Sequence, residues 1–442
     1  MITPASFQSY TINKHPRGDA IRRILASAIN AVDPGALVQQ CAKREGSSLW
    51  LDGTEFPLEN GRIVLLGLGK AAESMTSAMI NLVGDLNPRG LIIPKVEPAI
   101  HLEQMEIVIG DHPIPGENSL LAGQKIMELI EGLTEKDLFI CLISGGGSSL
   151  IAAPHVGLSL NEVTQLYSIL LKCGASINEI NTVRRHLDQL KGGGLIRKVN
   201  GARVISLILS DVIGNPLEAI ASGPTAPDPT TKLDALAVLH KYHLIESIPA
   251  AIPKIINNAQ ETAKPGDRIF DKVSNYIIGS NEMAVKAAIT QAKQEGYYCR
   301  NLGSTWQDNS HKTAMDLCAF QGNPGLMPPC CLIGGGETSV NIKGKGRGGR
   351  NQELALAAVK ELAGNKDVML ISLATDGEEG VTDAAGAVTS NETLQRANNL
   401  GMDVDQFLVE NDSYAYFESL GDLIRIGPTG TNVNDLFFLI CD

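Results

Sequence analysis

Short, largely apolar runs recur along the chain, and each is followed by a cluster of glycines or by acidic residues. Such runs are typical of strands that are buried on both faces, as in parallel sheets. The runs are Arg62–Leu68, Leu138–Ile143, Val204–Leu209, Cys330–Ile333 and Val368–Ala374. Helical patterns lie between them, so the sequence predicts an α/β fold with parallel sheets.

Two of the predicted helices begin with the Ser-x-x-Glu pattern of a capping box, in which the Ser oxygen and the Glu carboxylate satisfy backbone N–H groups. They are Leu160–Cys173, preceded by Ser159 and containing Glu162, and Ile177–Lys191, preceded by Ser176 and containing Glu179. Gly192–Gly194 should end the second helix.

The chain has 442 residues, enough for two or three domains. Pro224–Pro229 reads as a rigid connector, and Gly322–Pro329 has the composition of a linker. We predict a large N-terminal α/β domain over residues 1–325, with the connector and a helical stretch within residues 226–265. A smaller C-terminal α/β domain should occupy residues 326–442.

The segment Ser144–Ser149 (SGGGSS) follows the second apolar run. Ligands of parallel sheets bind beyond the carboxyl ends of the strands, and consecutive glycines let backbone N–H groups converge on a phosphate. The spacing is not that of a Walker A loop, and a tight structural turn is the alternative. We predict phosphate contacts here and after the fourth run, from Ser144, Gly145, Gly146, Gly147, Ser148, Ser149, Gly334, Gly335, Gly336 and Glu337.

Gly67–Ala72 (GLGKAA) matches the G-x-G-x-x-A pattern of dinucleotide-binding sheets, which would indicate a dehydrogenase. That pattern needs an acidic residue about 20 residues further on, at the end of the second strand. The next predicted strand, Gly90–Ile93, is followed by Pro94 and Lys95, so the pattern is incomplete. Lys70 at this turn suits an anionic ligand, and a solvated lysine at a helix start is the alternative.

Asp211 follows the third apolar run, and Asp376 follows the fifth. A carboxylate at a strand end can bind a divalent cation or receive a proton, and phosphoryl transfer requires both functions. Turn or helix-cap chemistry accounts for aspartates at such positions equally well. Both residues are candidate catalytic and metal-binding residues.

The basic, glycine-rich segment Gly344–Arg350 (GKGRGGR) precedes a helical pattern. Arg347 and Arg350 could clamp a carboxylate or a phosphate bidentately. Both are therefore candidate catalytic and substrate-binding residues, and Asn351 is a further candidate for substrate binding. A solvated loop is the alternative.

Three other polar segments are less specific. Arg185, a candidate for substrate binding, lies on one predicted helix face with Asn181 and Asp188, and this face either turns to the site or holds a salt bridge. Asp111–Pro113 and Pro428–Asp435 have the composition of polar loops, and the second could contribute to ligand binding.

Charge and composition exclude several classes of partner. The net charge of −12 and the aromatic content of 4% argue against nucleic acid and against a membrane surface. No apolar stretch reaches the roughly 18 residues of a membrane span, and no signal peptide is recognisable. The eight cysteines include no C-x-x-C pair, so we expect reduced thiols, no zinc site and a cytoplasmic location.

Taken together, these segments resemble the class II glycerate 2-kinase family, whose members are often labelled hydroxypyruvate reductases. The matching blocks span nearly the whole chain in order. They are Gly67–Ala72, Asp111–Gly116, Leu142–Leu150, Asn181–Leu195, Leu209–Asp228, Gly334–Leu356, Ala374–Ala387 and Thr429–Leu436.

The resemblance implies a large Rossmann-like α/β/α sandwich and a smaller MOFRL-type α/β domain, with the active site in the cleft between them. It also implies transfer of the γ-phosphoryl group of ATP to D-glycerate with Mg²⁺, giving ADP and 2-phosphoglycerate. Lys70 and either Arg347 or Arg350 are the cleft residues that it leads us to expect.

In the resulting hypothesis, Ser144–Ser149 cradles the phosphates of ATP, and Lys70 together with Mg²⁺ neutralises their charge. Arg347 or Arg350 holds the carboxylate of glycerate. Asp211 or Asp376 orients the attacking hydroxyl or binds Mg²⁺, and the identity of the general base stays open.

Two other functions are considered. One is an NAD(P)H-dependent hydroxypyruvate reductase, which the missing acidic residue disfavours. The other is a non-catalytic regulator that binds a nucleotide or a sugar acid, although no DNA-binding segment supports it. The sequence leaves the oligomeric state open, with a homodimer among the candidates.

Overall fold

The computed structural model of the protein describes residues 1–58, 61–100, 102–321, 327–365 and 367–442. The chain divides into two compact units. Pro34–Ile278 forms the central unit, whereas Met1–Asp33 and Gly279–Asp442 together form the terminal unit. The predicted boundary between residues 325 and 326 lies outside the described residues, together with most of the predicted linker, so the predicted domain bounds stay a prediction.

The helices of the described chain alternate with strands, as the apolar runs predict. The helices are α1 Tyr10–Lys14, α2 Gly18–Asn30, α3 Pro34–Cys41, α4 Ala72–Val83, α5 Glu117–Ile130, α6 Gly147–Leu150, α7 Leu160–Lys172, α8 Ile177–Leu187, α9 Gly194–Lys198, α10 Lys232–Lys241, α11 Ala251–Asn258, α12 Asn281–Gln294, α13 Ser310–Cys318, α14 Arg350–Leu362, α15 Thr393–Asn399, α16 Val404–Glu410 and α17 Ser413–Leu420. The strands are β1 Ala42–Glu45, β2 Ser48–Leu51, β3 Thr54–Pro57, β4 Ile63–Leu68, β5 Arg89–Ile93, β6 Met105–Ile107, β7 Leu138–Ile143, β8 Arg203–Leu209, β9 Val273–Gly279, β10 Tyr298–Asn301, β11 Cys330–Gly336, β12 Val368–Ala374, β13 Gly386–Ser390, β14 Leu423–Ile424 and β15 Asp435–Cys441.

The main sheet of the central unit has the strand order β6-β5-β4-β7-β8-β9. Strands β6 to β8 pair in parallel, and β4 and β7 are buried along their whole length because the sheet is covered on both faces. Numbered along the chain, the order is third, second, first, fourth, fifth and sixth, which is that of doubly wound sheets. The order reverses between β4 and β7, so a ligand site is expected beyond the carboxyl ends of these two strands.

The sheet of the terminal unit has the order β10-β11-β15-β12-β13-β14 and is mixed, which corrects the expectation of a parallel sheet. Strands β11 and β12 run in the same direction, but β15 lies between them and is antiparallel to both. Sequence reasoning missed β15, although its apolar stretch is as long as those of the predicted strands. The antiparallel insertion brings the start of β15 to the edge where β11 and β12 end.

The first two helices belong to the terminal unit because they are bonded to its other elements. Arg23 of α2 forms two hydrogen bonds of 2.7 Å with the Glu295 carboxylate, just beyond the end of α12. Thr11 Oγ1 in α1 donates to Asp422 Oδ2 at 2.9 Å. These contacts span more than 270 residues of the chain, so a division into consecutive domains does not anticipate them.

Both predicted capping boxes are confirmed. The side chains of Ser159 and Ser176 accept from the backbone N–H groups of Glu162 and Glu179, and each glutamate accepts from the backbone of its serine. The second helix ends at Leu187, four residues before the predicted end at Lys191.

The early end of α8 results from the side chain of Asp188. Asp188 Oδ2 accepts from the backbone N–H of Ala153 at 2.9 Å and from Lys191 Nζ at 2.7 Å, while Oδ1 accepts from the backbone N–H of Leu190 at 2.9 Å. Because Asp188 and Lys191 are both buried, these bonds replace the water that each charge loses on folding. They require extended backbone at Asp188 rather than another helical turn.

Two further expectations concern cysteines and membranes. The eight cysteines lie within the described residues, and all carry free thiols. None of the described helices has the length and apolar character needed to cross a bilayer.

We predict that Asp188→Ala lowers the free energy of unfolding by about 3–5 kcal/mol, because it leaves the buried Lys191 charge without its counter-ion. Urea denaturation followed by circular dichroism measures the change. Lys286→Ala, which removes the exposed pair of Lys286 and Glu282, is the matched control and should keep the wild-type midpoint. Equal midpoints for both variants would show that the buried pair contributes nothing to stability.

Candidate active site

The candidate site of the central unit lies where β4 and β7 end side by side. The backbone N–H of Lys70 donates to the carbonyl of Gly145 at 2.9 Å, and the backbone N–H of Ala71 donates to Ser144 Oγ at 2.9 Å. These bonds join the loop after β4 to the segment Ser144–Ser149, which we call the glycine loop. Lys70 is therefore held at the switch point of the sheet, beside the predicted phosphate-binding segment.

Two glycines are required by the geometry of these loops. Gly69 has φ +114°, and a Cβ atom on it would lie 2.4 Å from the carbonyl oxygen of Ser144. Gly146 adopts the left-handed conformation with φ +88°. Within the part of the chain that the structure describes, the backbone N–H groups of Gly146 and Gly147 donate to no protein acceptor, so both can donate to a bound anion.

The three serines of the glycine loop have different environments. Ser144 Oγ accepts from Ala71 and donates to a backbone carbonyl, and Ser149 Oγ donates to the carbonyl of Gly146 at 3.1 Å. Ser148 Oγ shares a hydrogen bond of 2.8 Å with Ser222 Oγ. Ser144 and Ser149 thus hold the loop together, while Ser148 is the serine that is not buried. Direct phosphate contact from Ser144 or Ser149 stays a prediction.

The carboxylate of Asp211 lies against the glycine loop. Asp211 follows β8 by one intervening residue, and a Cβ atom on Gly145 would lie only 2.0 Å from Asp211 Oδ2. A Cβ atom on Gly146 would lie 3.7 Å from Lys70 Cγ. Lys70 and the Asp211 carboxylate therefore both lie against the glycine loop, as a site built from several chain segments requires.

His112 was singled out in the sequence only as part of a polar loop, yet the structure places its ring at the same loop. Its Cδ2 and Nε2 atoms lie 3.4 and 3.6 Å from the position of a Cβ atom on Gly146. Partial burial lowers the pKa of His112, and the charges of Lys95 and Lys70 lower it further. The imidazole is therefore neutral at neutral pH. A histidine next to a proline in a loop carries no local signal that would have indicated this position.

A strained segment supports the glycine loop from the side of β8. Ala221, Ser222 and Gly223 have φ values of +50°, +62° and +62°, which is costly for the two residues that carry a Cβ atom. The backbone N–H groups of Gly192 and Gly193 donate to the carbonyls of Ser222 and Gly223 at 3.0 and 2.8 Å. These bonds offset part of the strain and keep Ser222 beside Ser148.

The Arg185 side chain forms the salt bridge that the sequence left open. Arg185 Nε lies 2.9 Å from Asp228 Oδ1, and both side chains are buried. Its terminal nitrogen also donates to the carbonyl of Glu218 at 3.2 Å. The partner is Asp228 rather than Asp188 on the same predicted face, because Asp188 has left the helix. A contact of Arg185 with substrate stays a prediction.

The terminal unit carries a second polar cluster, at the sheet edge where β11 and β12 end and β15 begins. Arg350 Nε lies 2.6 Å from Asp435 Oδ2, and its Nη1 atom donates to Glu337 Oε1 at 2.8 Å. Asn351 Nδ2 donates to Asp435 Oδ1 at 2.9 Å and to Glu379 Oε2 at 3.1 Å. We call Glu337, Arg350, Asn351, Glu379 and Asp435 the carboxylate cluster.

Glu379 caps the start of α14. Its two carboxylate oxygens accept from the backbone N–H groups of Asn351 at 2.8 Å and of Gln352 at 2.7 Å. Burial raises the pKa of Glu379 to about 8 and that of Asp435 to about 6, the second against the opposing charge of Arg350.

The glycines after the fourth apolar run form strand rather than loop, which corrects the predicted local structure. Gly334–Gly336 are the last residues of β11 and pair with β15. A Cβ atom on Gly335 would lie 2.1 Å from Asn281 Oδ1, so close packing requires this glycine. The backbone N–H groups of Gly335 and Glu337 already donate to the carbonyls of Gly303 and Trp306. Phosphate contact from Gly334–Glu337 stays a prediction without a loop to support it.

The basic segment Gly344–Arg350 is held against the residues that follow α16. The backbone N–H of Arg347 donates to Asp412 Oδ1 at 3.0 Å, and its guanidinium stacks on the ring of Tyr414 at 4.7 Å. Arg347 is exposed, whereas Arg350 is occupied by the acids of the carboxylate cluster. Of these two arginines, Arg347 is the one with a stacked and accessible guanidinium.

Asp376 lies at the end of β12, beside the polar loop before β15. Its carbonyl accepts from the backbone N–H of Thr429 at 3.1 Å, and Thr429 Oγ1 donates to the carbonyl of Thr375 at 2.7 Å. The predicted loop Pro428–Asp435 therefore belongs to the same sheet edge as Asp376. A metal-binding role for Asp376 stays a prediction.

We predict that Glu379→Gln flattens the dependence of stability on pH. The pKa of Glu379 is about 8 in the folded chain and about 4.3 in an unfolded one, so the folded state retains a proton that the unfolded state releases. The stability due to this proton is fully present below the unfolded pKa and is lost as the pH rises towards 8.

The urea midpoint of the wild type should therefore fall between pH 6 and pH 8, and that of Glu379→Gln should fall less, whatever its overall stability. Glu361→Gln, on the exposed face of α14, is the matched control and should follow the wild type. Parallel curves for all three proteins would rule out the retained proton.

Two family models match the chain in tandem. A domain of unknown function, DUF4147, matches residues 20–257, and the MOFRL family matches residues 330–435. The first model covers most of the central unit, and the second covers the sheet edge with the carboxylate cluster.

The chain is similar to curated and solved proteins over most of its length. A D-glycerate 2-kinase of Thermotoga maritima is 41% identical over 85% of this chain and 89% of its own. A putative hydroxypyruvate reductase of Agrobacterium vitis is 34% identical over 94% of this chain and 92% of its own.

A crystal structure of glycerate kinase from Thermotoga maritima superposes with a TM-score of 0.85 at 37% identity, covering 95% of this chain and 98% of that one. The predicted α/β fold class is thereby confirmed. Because relatives at this level of identity cover nearly all of the sequence, the chain belongs to the class II glycerate 2-kinase family.

Proposed function

We propose that the protein transfers the γ-phosphoryl group of ATP to D-glycerate and releases ADP and 2-phosphoglycerate. The observation that carries the proposal is the convergence of Lys70, Gly146 and Asp211 at the switch point of a doubly wound sheet. The choice of glycerate as the acceptor substrate rests on relatives that are named glycerate kinases. Phosphoryl transfer depends mainly on positioning and on electrostatic stabilisation. In this proposal the glycine loop provides the first and Lys70 the second.

The glycine loop binds the phosphates in this proposal. The N–H groups of Gly146 and Gly147 donate to phosphate oxygens in this proposal, and the Ser148 hydroxyl adds a donor when Ser222 donates the hydrogen bond that the two serines share. Lys70 brings a positive charge to the transferring group, where negative charge spreads over the equatorial oxygens in the transition state. Loop and lysine keep their relative position because the Lys70 backbone is bonded to Gly145.

The donor set of the central site fits Mg²⁺. Mg²⁺ in phosphotransferases is bound by one or two carboxylates and by substrate phosphates rather than by a cage of protein ligands. Asp211 supplies such a carboxylate against the glycine loop, and the described residues contain no cluster of three or more His, Cys, Asp or Glu side chains suited to a metal. When bound, Mg²⁺ would supply charge neutralisation at the phosphates. Metal binding by Asp376, in the terminal unit, is a separate proposal.

Arg347 is our candidate for the carboxylate of glycerate. A guanidinium stacked on an aromatic ring keeps its edge N–H groups directed outward for bidentate recognition, and Arg347 has this arrangement over Tyr414. Arg350 is the weaker candidate because Asp435 and Glu337 already accept from it. Asn351 is likewise occupied by buried carboxylates, so it positions Arg350 in this proposal rather than binding substrate.

The reductase named among the relatives is the rival function. It requires an acidic residue after β5 for the ribose of a dinucleotide, and β5 is followed by Pro94 and Lys95. Strand β5 pairs directly with β4. The position at which a dinucleotide-binding sheet requires an acidic residue is therefore followed here by Pro94 and Lys95.

We predict that the protein converts ATP and D-glycerate in the presence of Mg²⁺ into ADP and 2-phosphoglycerate. Phosphorus NMR of the mixture separates the 2-phosphate from the 3-phosphate, and omission of Mg²⁺ is the control. Oxidation of NADH or NADPH on addition of hydroxypyruvate, without phosphoryl transfer from ATP, would favour the reductase instead.

We predict that Lys70→Met lowers kcat by roughly 100-fold or more, as the loss of one electrostatic donor at a transition state does. Lys172→Met, which changes an exposed lysine at the end of α7, is the control and should keep full activity. Steady-state rates at saturating ATP and glycerate give the comparison. Near-normal turnover in Lys70→Met would remove this residue from the mechanism.

A further inference from the structure

His112 is the titratable group at the glycine loop to which the proposed mechanism gives no role. Its ring lies against Gly146, whose Cβ position also borders Lys70 Cγ, and the Asp211 carboxylate lies against the preceding residue, Gly145. Consecutive residues of one loop are thus flanked by an imidazole, an ammonium side chain and a carboxylate.

The position of His112 is defined by the residue before it. Asp111 Oδ2 accepts from the backbone N–H groups of Asn118 and Ser119 at 2.9 and 3.1 Å, in the first turn of α5. The backbone N–H of Asp111 donates in return to Ser119 Oγ at 3.1 Å. Because the Asp111 carboxylate is consumed by this cap, it fixes the loop and is not the partner of the imidazole.

Among the described residues, no hydrogen bond or ion pair is formed by the nitrogens of His112, although the side chain is half-buried. The charged groups that act on it are Lys95, from the loop after β5, and Lys70, from the loop after β4, whereas Asp211 lies against the neighbouring residue Gly145. Partial burial and the charges of Lys95 and Lys70 all lower the pKa of His112, which favours the neutral imidazole that can accept a proton.

We propose that His112 is the proton acceptor for the attacking hydroxyl of the acceptor substrate. This inference rests on the proposed function. The hydroxyl oxygen forms a bond to the γ-phosphorus of ATP, and the bond from this phosphorus to the β,γ-bridging oxygen breaks with its electron pair leaving on ADP. The hydroxyl proton passes to a ring nitrogen of His112 and is later released to solvent.

With His112 as the proton acceptor, metal binding and proton acceptance fall to different side chains, whereas the sequence offered the aspartates for both. In this proposal Asp211 acts as the carboxylate ligand of Mg²⁺, and a carboxylate that binds a cation is a weak base. A neutral imidazole also becomes a stronger base when the anionic phosphates bind, since their charge favours the imidazolium form. Proton acceptance is thus coupled to occupation of the site by ATP.

The test compares His112→Gln with His240→Gln, which changes an exposed histidine on α10 of the same unit. We expect His112→Gln to lose about 100-fold in kcat, within the range of general-base contributions, with little change in KM for ATP. The wild-type rate should fall as the pH drops through the pKa of His112, and this acidic limb should be absent in His112→Gln. His240→Gln should keep both the rate and the limb.

A second variant separates catalysis from structure. In His112→Ala, added imidazole should restore the rate in proportion to its concentration, whereas Lys70→Met should not respond. Unchanged thermal midpoints for both His112 variants exclude a folding defect.

A wild type that transfers phosphate, together with a His112→Gln variant that retains its rate and its acidic limb, overturns the inference and leaves the proposed function intact. A wild type without phosphoryl transfer overturns the proposed function itself.

Discussion

The hydrogen bonds between the loops after β4 and β7 are the constraint on which the candidate site depends. Lys70 N–H to Gly145 O and Ala71 N–H to Ser144 Oγ form because the two strands are neighbours in a parallel sheet and end at one edge. They determine where the Lys70 side chain leaves the backbone and where the left-handed turn at Gly146 begins. Without them, a charged side chain and a glycine turn 70 residues or more apart would have no fixed relation.

The residues that support this edge carry energetic costs of their own, through backbone strain or through the burial of charge. Ser222 beside Ser148 has a left-handed backbone, and Lys191 and Asp188 are charges removed from water. Each is offset by several hydrogen bonds, from Gly192 to Ser222 and from Ala153 to Asp188 among others. A loop that must hold its shape while a highly charged ligand enters and leaves needs such over-determined support.

In the terminal unit, an antiparallel strand has a comparable effect. Because β15 runs between β11 and β12, its first residue, Asp435, lies where those two strands end. There it forms an ion pair with Arg350, which also pairs with Glu337. Glu379 completes the cluster by capping α14, and burial raises the pKa values of Glu379 and Asp435. Gly349 permits this packing, since a Cβ atom on it would lie 2.4 Å from the Glu379 carboxyl carbon.

Patterns confined to a few consecutive residues were sufficient to predict much of the molecule. Uninterrupted apolar runs gave the bounds of β7 and β12, capping boxes gave the starts of α7 and α8, and glycine clusters after strands indicated the edge that holds Lys70 and Gly146. Each of these features depends on local conformational preference and on burial of both strand faces, and both are written into adjacent positions.

Other features were decided only by contacts between distant residues. The end of α8 depends on Asp188 bonding to Ala153, 35 residues away, and the mixed sheet depends on β15 inserting between two earlier strands. The N-terminal helices join the terminal unit through pairs such as Arg23 with Glu295, and His112 reaches Gly146 through a loop that Asp111 anchors to α5. No periodicity along the chain encodes such pairs, because their energy arises only when the folded chain brings both partners together.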